Sequence, residues 1–161
     1  NGTRFRLSIS KLNGVGVNSF NETNQVTPTP FHSQTVVVID DDSEALEAIT
    51  TLLQSWQMRV VSLSSFQEAL EWADSCSQAP SLIISDFDLG EGDHNGTTLL
   101  SALQARFGGS VPAMIISGTS KHEALEQIEN SGYPLLQKPV KPAKLRAMIN
   151  SLLIDQTNPT S

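Results

Sequence analysis

From Thr35 onward two hydrophobic rhythms alternate along the chain. Val36-Val37-Val38-Ile39 is an unbroken β-branched run, the pattern of a strand buried on both faces. Ala45, Leu46, Ile49, Leu52, Leu53 and Trp56 then recur at spacings of three and four, which predicts a helix with one apolar face, and Ser43 is placed to cap it. Residues 58–63 give a second strand. Ser65 and Glu68 have the spacing of a capping box ahead of a helix carrying Phe66, Ala69, Leu70 and Ala73.

The third strand, Leu82-Ile83-Ile84-Ser85-Asp86, is entered from Pro80 and closed by turn-forming Gly90, Gly92, Asn95 and Gly96. A helix with Leu99, Leu100, Leu103 and Phe107 follows and stops at Gly108-Gly109. Ala113-Met114-Ile115-Ile116 is a fourth strand before Ser117-Gly118, and Ser120 to Glu123 repeats the capping-box spacing. Leu135-Leu136 marks a short fifth strand. Pro142 opens a last helix with Leu145, Met148, Ile149, Leu152 and Leu153 on one face. Five strand–helix units in a row imply an α/β doubly wound fold: a five-stranded parallel sheet, right-handed crossovers and helices on both faces.

Upstream, Thr3, Phe5, Leu7 and Ile9 alternate with Arg4, Arg6 and Ser8, a strand pattern with nothing local to pair with. Residues 11–34 are rich in Asn, Thr, Ser, Gly and Pro, with Thr27-Pro28-Thr29-Pro30 stiffening the end, and read as a linker. The expected division is therefore 1–10 orphan strand, 11–34 linker, 35–154 folded domain and 155–161 tail, with the first two segments adding little to stability. A start at Asn1 without methionine points to a fragment of a longer chain, and the eight residues after Leu153 leave no room for a downstream effector domain.

In open parallel sheets the ligand crevice lies outside the carboxyl ends of the strands. Four of those ends carry polar groups: Asp40 and Asp41, Asp86, Ser117, and Lys138. Three carboxylates gathered together need a counter-charge, and hard oxygen ligands suit a divalent ion such as Mg²⁺. Beside such an ion, with Lys138 neutralising a phosphoryl oxygen, Asp86 can attack phosphorus as a carboxylate nucleophile. Ser117 supplies a hydroxyl to the new group, and Gly118 leaves space beside it.

Charge narrows the partners. The chain carries a formal −7, and residues 34–161 hold seven Lys and Arg against sixteen Asp and Glu, or −9. Neither nucleic acid nor direct membrane contact suits that balance. Cys76 is alone, so no internal disulfide forms and a cytoplasmic setting is compatible, whether or not a parent chain is membrane-anchored. His32, His94 and His122 are scattered and read neither as metal ligands nor as phosphorylated histidines.

The ordered set over residues 35–154 resembles the receiver domains of two-component response regulators: an acidic pair after strand one, Asp after strand three, Ser and a small residue after strand four, Lys-Pro after strand five. The resemblance implies a flavodoxin/CheY-like sheet in the order 2-1-3-4-5. It also implies that Asp86 is the phosphoacceptor, that Asp40 and Asp41 are metal-binding acids joined by the backbone carbonyl of Asp88, that Ser117 is the switch hydroxyl and that Lys138 binds phosphate. A cis Lys138-Pro139 bond is expected on the same ground. Asn1 to Ile9 resembles the closing strand of a histidine kinase ATP-binding domain, so the implied parent is a hybrid sensor histidine kinase. The donor is then a kinase domain in cis or a histidine phosphotransfer protein. Whether the fragment counts as an enzyme stays open, since a receiver assists its own phosphorylation.

The chain departs from the family pattern in places. The loop after Asp86 lacks the frequent Met-Pro, Gly96 comes late, and Leu135 stands where many members carry a switching Tyr or Phe. Two other readings compete. Asp86-Phe87-Asp88 matches the Asp-x-Asp of haloacid-dehalogenase-like phosphatases, and a pseudo-receiver would serve as an interaction module without phosphorylation.

Overall fold

The computed structural model describes residues 31–90 and 92–157; the strand expected over 1–10 and most of the linker lie outside them. Ten elements alternate: β1 (Thr35–Ile39), α1 (Ser43–Ser55), β2 (Arg59–Leu63), α2 (Phe66–Ser75), β3 (Leu82–Asp86), α3 (Gly96–Phe107), β4 (Ala113–Ser117), α4 (His122–Ser131), β5 (Leu135–Gln137) and α5 (Pro142–Thr157). All strand pairs are parallel and the order is β2-β1-β3-β4-β5, as expected for a doubly wound sheet.

Strand parity divides the core in two. Val37, Ile39, Ile83 and Ile115 face α2, α3 and α4, where they meet Ala69, Leu100, Leu103 and Ile128. Val36, Val38, Leu82, Ile84 and Ile116 face α1 and α5, where they meet Ile49, Leu53, Leu145 and Ile149. Because both faces are covered, each central strand needs apolar residues at every position, which is why the runs are continuous rather than alternating. Asp40, Asp86 and Lys138 extend the parity of Val38, Ile84 and Leu136, so all three strand ends turn toward the same side of the sheet.

Several local expectations change. Asp42, not Ser43, caps α1: its Oδ1 accepts from the N–H groups of Glu44 at 3.0 Å and Ala45 at 3.4 Å. Asp42 is still extended (φ −87°, ψ 111°), whereas Ser43 is already the first helical residue. Half of the expected capping box of α2 forms, with Ser65 Oγ accepting from Glu68 N–H at 3.0 Å, but the Glu68 carboxylate accepts from the Ser64 hydroxyl instead. The box at Ser120 does not form. Lys121 is the N-cap of α4 without a side-chain bond, and Thr119 Oγ1 accepts its N–H at 3.1 Å.

The packed unit also begins earlier and ends later than expected. Phe31 is fully buried with the α1 and α5 residues, 6.1 Å from the Trp56 ring, and the Arg146 guanidinium lies 5.3 Å from both ring centroids. An expectation that all of 11–34 is dispensable therefore fails at Phe31. At the other end α5 runs on to Thr157. No helix among the described residues is long and apolar enough to cross a membrane.

Candidate functional site

Asp86 is the last residue of β3 and is 5% exposed, and Asp40, just past β1, is 1% exposed. Buried carboxylates survive only with charge or hydrogen-bond partners, and each has a specific set. Asp40 Oδ1 accepts from Asp42 N–H at 2.9 Å, and Asp86 Oδ2 accepts from Asp88 N–H at 3.1 Å. Lys138, carried just beyond β5, places Nζ 3.2 Å from Asp40 Oδ2 and 2.9 Å from Asp86 Oδ1. The contact with Asp86 is a close ion pair on the buried Oδ1, which has no second partner among the described residues. Lys138 is itself held by its own N–H, which donates to Ser117 O at 2.9 Å, and the Lys138-Pro139 bond is cis.

Asp41 is exposed, yet its carboxylate, with those of Asp40 and Asp86, offers oxygens all within 4.8 Å of one another. This oxygen set, in which the buried Asp86 Oδ1 is met by Lys138 alone among the described residues, fits a hard divalent cation. Burial pushes the Asp86 carboxyl up to about 6; Lys138 pulls the other way, and Asp40 and Asp88 add to the rise. For Lys138, burial works against the charge, but Asp86 and then Asp40 outweigh it and hold the ammonium above its usual range.

Ser117 ends β4 and is fully buried; its Oγ accepts from Thr119 N–H at 3.1 Å. A Cβ on Gly118 would sit 3.7 Å from Lys138 Cβ, an ordinary contact. The Asp88 carboxylate is on an exposed residue outside the three-acid group, and its backbone closes an isolated bridge to Asn95. Two residues here, read in the sequence only as turn formers, have more specific roles. Asn95 caps α3, accepting from Thr98 N–H at 3.0 Å and from the Thr97 hydroxyl at 2.7 Å. Gly96 approaches β3 so closely that a Cβ would collide with the Asp86 carbonyl oxygen, and its N–H donates to Phe87 O at 2.8 Å. The Asn-Gly-Thr-Thr stretch ahead of an apolar period was the available cap signal.

Two histidines lie outside the three-acid group: His94 stacks on Phe66 at 4.7 Å and His122 is 3.8 Å from Glu126. Leu135 packs half-buried against the α2–α4 side of the core, as does Tyr133.

A 2-1-3-4-5 parallel sheet with two acids after β1, one at the end of β3, and Ser and Lys after β4 and β5 defines the CheY-like receiver class of α/β proteins. The chain belongs to the response regulator receiver domain family, whose profile matches residues 36–150. Solved structures agree on the fold. A CheY-like response regulator receiver domain protein from Methanospirillum hungatei JF-1 is 23% identical over 79% of this chain and 98% of its own, with a TM-score of 0.69. A receiver domain protein from Clostridium thermocellum is 22% identical over 79% and 99%, with a TM-score of 0.68. The signal receiver domain of an HD domain-containing protein from Pseudomonas fluorescens Pf-5 is 20% identical over 79% and 99%, with a TM-score of 0.68. No curated protein matches the sequence.

Proposed function

We propose that this domain accepts a phosphoryl group from a phosphohistidine onto Asp86, with Mg²⁺ held by the carboxylates of Asp40, Asp41 and Asp86 and by the Asp88 carbonyl. The observation that carries the reading is Asp86 Oδ1: a buried carboxylate oxygen 2.9 Å from a lysine, with no other partner among the described residues and grouped with two further acids. In its ionised form that oxygen is the nucleophile. Its lone pair forms the new O–P bond as the P–N bond to the donor imidazole breaks, and the electron pair leaves with the imidazole nitrogen, which takes up a proton. The cation, when bound, offsets negative charge on the transferring phosphoryl oxygens. Lys138 shifts its partnership from carboxylate to phosphoryl oxygen, and the Ser117 hydroxyl, buried at the neighbouring strand end, donates to another.

The phosphatase alternative needs its metal acids downstream of the nucleophile, whereas the acids gathered round Asp86 come from upstream. The pseudo-receiver alternative needs a lost site residue, and all five expected side chains stand at the strand ends. For the context, the kinase-like run over Asn1 to Ile9 supports a hybrid sensor histidine kinase, with its kinase domain in cis or a histidine phosphotransfer protein as partner, in the cytoplasm.

Incubation with a small acyl phosphate and Mg²⁺ tests the site. Acid-stable, base-labile label on the wild type and none on Asp86→Asn is expected. Label that persists in Asp86→Asn moves the acceptor elsewhere; an unlabelled wild type returns the domain to the pseudo-receiver class.

A further inference from the structure

Five buried side chains among the described residues are polar or charged: Asp40, Ser85, Asp86, Thr97 and Ser117. Asp40, Asp86 and Ser117 belong to the acid pocket, and Ser85 Oγ donates to the neighbouring Asp86 O at 2.9 Å. Thr97 stands apart. It lies in the first turn of α3, 6% exposed, where valine would have the same shape and no hydroxyl to desolvate. That hydroxyl is used in both directions: it donates its one hydrogen to Asn95 Oδ1 at 2.7 Å and accepts from Gln127 Nε2 of α4 at 3.4 Å. The second contact is, among the described residues, the one side-chain hydrogen bond that joins α4 to another helix or strand.

What Asn95 holds is the backbone after β3. Its Oδ1 takes Thr98 N–H as well as the Thr97 hydroxyl, and its own backbone bridges to Asp88. Gly96 N–H fastens the same stretch by donating to Phe87 O at 2.8 Å, while Asp88 N–H donates to Asp86 Oδ2 at 3.1 Å. The first turn of α3 therefore sets where the backbone of Asp88 stands relative to Asp86, and Thr97 ties that turn to α4. A hydroxyl with a single hydrogen can pass a change along. Drawn toward α4, the hydrogen leaves Asn95, and the cap then rests on Thr98 alone.

We propose that Thr97 is a positioning residue for the cation site: through Asn95 it fixes the backbone of Asp88, through Gln127 it ties that backbone to α4, and cation binding at the acids is thereby coupled to the placement of α4. The coupling presupposes the cation site proposed above, although Thr97 hydrogen-bonds none of its acids.

Mg²⁺ titration of the full chain, followed by amide NMR, tests it. Thr97→Val keeps the shape of the side chain and removes the hydroxyl, and should weaken Mg²⁺ binding about tenfold, whereas Thr97→Ser keeps the hydroxyl and should stay within about twofold of wild type. Circular dichroism checks that both fold. Without metal, the Gly96 amide should exchange faster in Thr97→Val and at the wild-type rate in Thr97→Ser. Gln127→Glu decides by sign: a carboxylate there cannot donate to Thr97 and competes with Asn95 for the hydroxyl hydrogen, so Mg²⁺ should bind more weakly, while an added negative charge acting through space alone would tighten it. Mg²⁺ should also slow amide exchange in α4 of the wild type and leave it unchanged in Thr97→Val. Wild-type affinity in Thr97→Val, an equal loss in Thr97→Ser, tighter binding by Gln127→Glu, or a wild-type α4 indifferent to Mg²⁺ overturns the coupling and leaves the cation site standing. A wild type that binds no Mg²⁺ overturns both.

Discussion

Asp86 Oδ1 and Lys138 Nζ lie 2.9 Å apart, and the same ammonium reaches Asp40 from 98 residues away in the chain. One cation thus balances two buried acids and is free to turn toward a third anionic group. Replacing it with methionine keeps the stem and removes the charge. Lys138→Met is expected to slow labelling by about 100-fold or more, the scale of losing one preorganised charge in a transfer site. Its Asp86 carboxyl should titrate above the wild-type midpoint, because desolvation and the Asp40 charge then act unopposed; an unmoved NMR titration would contradict this account of the pair.

Without metal, stability should fall as pH rises from about 4 to about 6. The folded Asp86 carboxyl keeps its proton up to about 6, whereas the unfolded one loses it near 3.8, so the native state binds more protons in that window. The full effect is about 3 kcal/mol at most. The raised Lys138 acts only above its unfolded value and leaves this window untouched. Urea unfolding across pH 4 to 7 is the measurement. Asp86→Asn should flatten the slope and be the more stable protein at neutral pH, and millimolar Mg²⁺ should narrow that gap by favouring the ionised wild type.

Two glycines near the acids should respond in opposite ways to the same change. Gly96→Ala drives a methyl into the Asp86 carbonyl oxygen and crowds Ile115 Cδ1 at 3.0 Å, and is expected to cost roughly 1–3 kcal/mol. Gly118→Ala meets only the flexible Lys138 stem at 3.7–3.8 Å and should stay within about 0.5 kcal/mol of wild type. Equal unfolding midpoints for the pair would refute the close approach at Gly96.

Truncation should separate linker from fold at one residue. Removing residues 1–30 is expected to change Tm little. Phe31→Ala, by emptying a fully buried ring site beside Trp56 and Arg146, should cost about 3 kcal/mol and roughly 10 °C. Thermal melts of the two variants give the answer directly.

What could be read from the chain and what could not divides along the range of the interaction. β1 and β3 were legible because their unbroken apolar runs are dictated by two covered faces, a local consequence of the layer architecture. The acids and Lys138 were legible by position, because parallel strands deliver their ends to one edge. Phe31 was not: it follows Thr-Pro-Thr-Pro in a polar stretch without period, and its neighbours on α1 and α5 come later in the chain. The choice of Asp42 over Ser43 as cap was equally hidden, since both can cap and only where β1 hands over to the helix decides between them.

The Asn95 cap has a further consequence, for how the protein ages. An asparagine followed by glycine is prone to lose ammonia when the next backbone nitrogen attacks its side-chain carbonyl carbon and closes a succinimide ring. Here the Gly96 N–H is committed to Phe87 O at 2.8 Å, and Asn95 Oδ1 accepts from Thr98 N–H and the Thr97 hydroxyl. The nitrogen and the carbon it would attack are thereby held in a helix-start geometry that keeps the ring open. Isoaspartate at position 95 should accumulate only in molecules that have let go of the first turn of α3, so its slow build-up in a stored sample records the time spent locally unfolded beside Asp86.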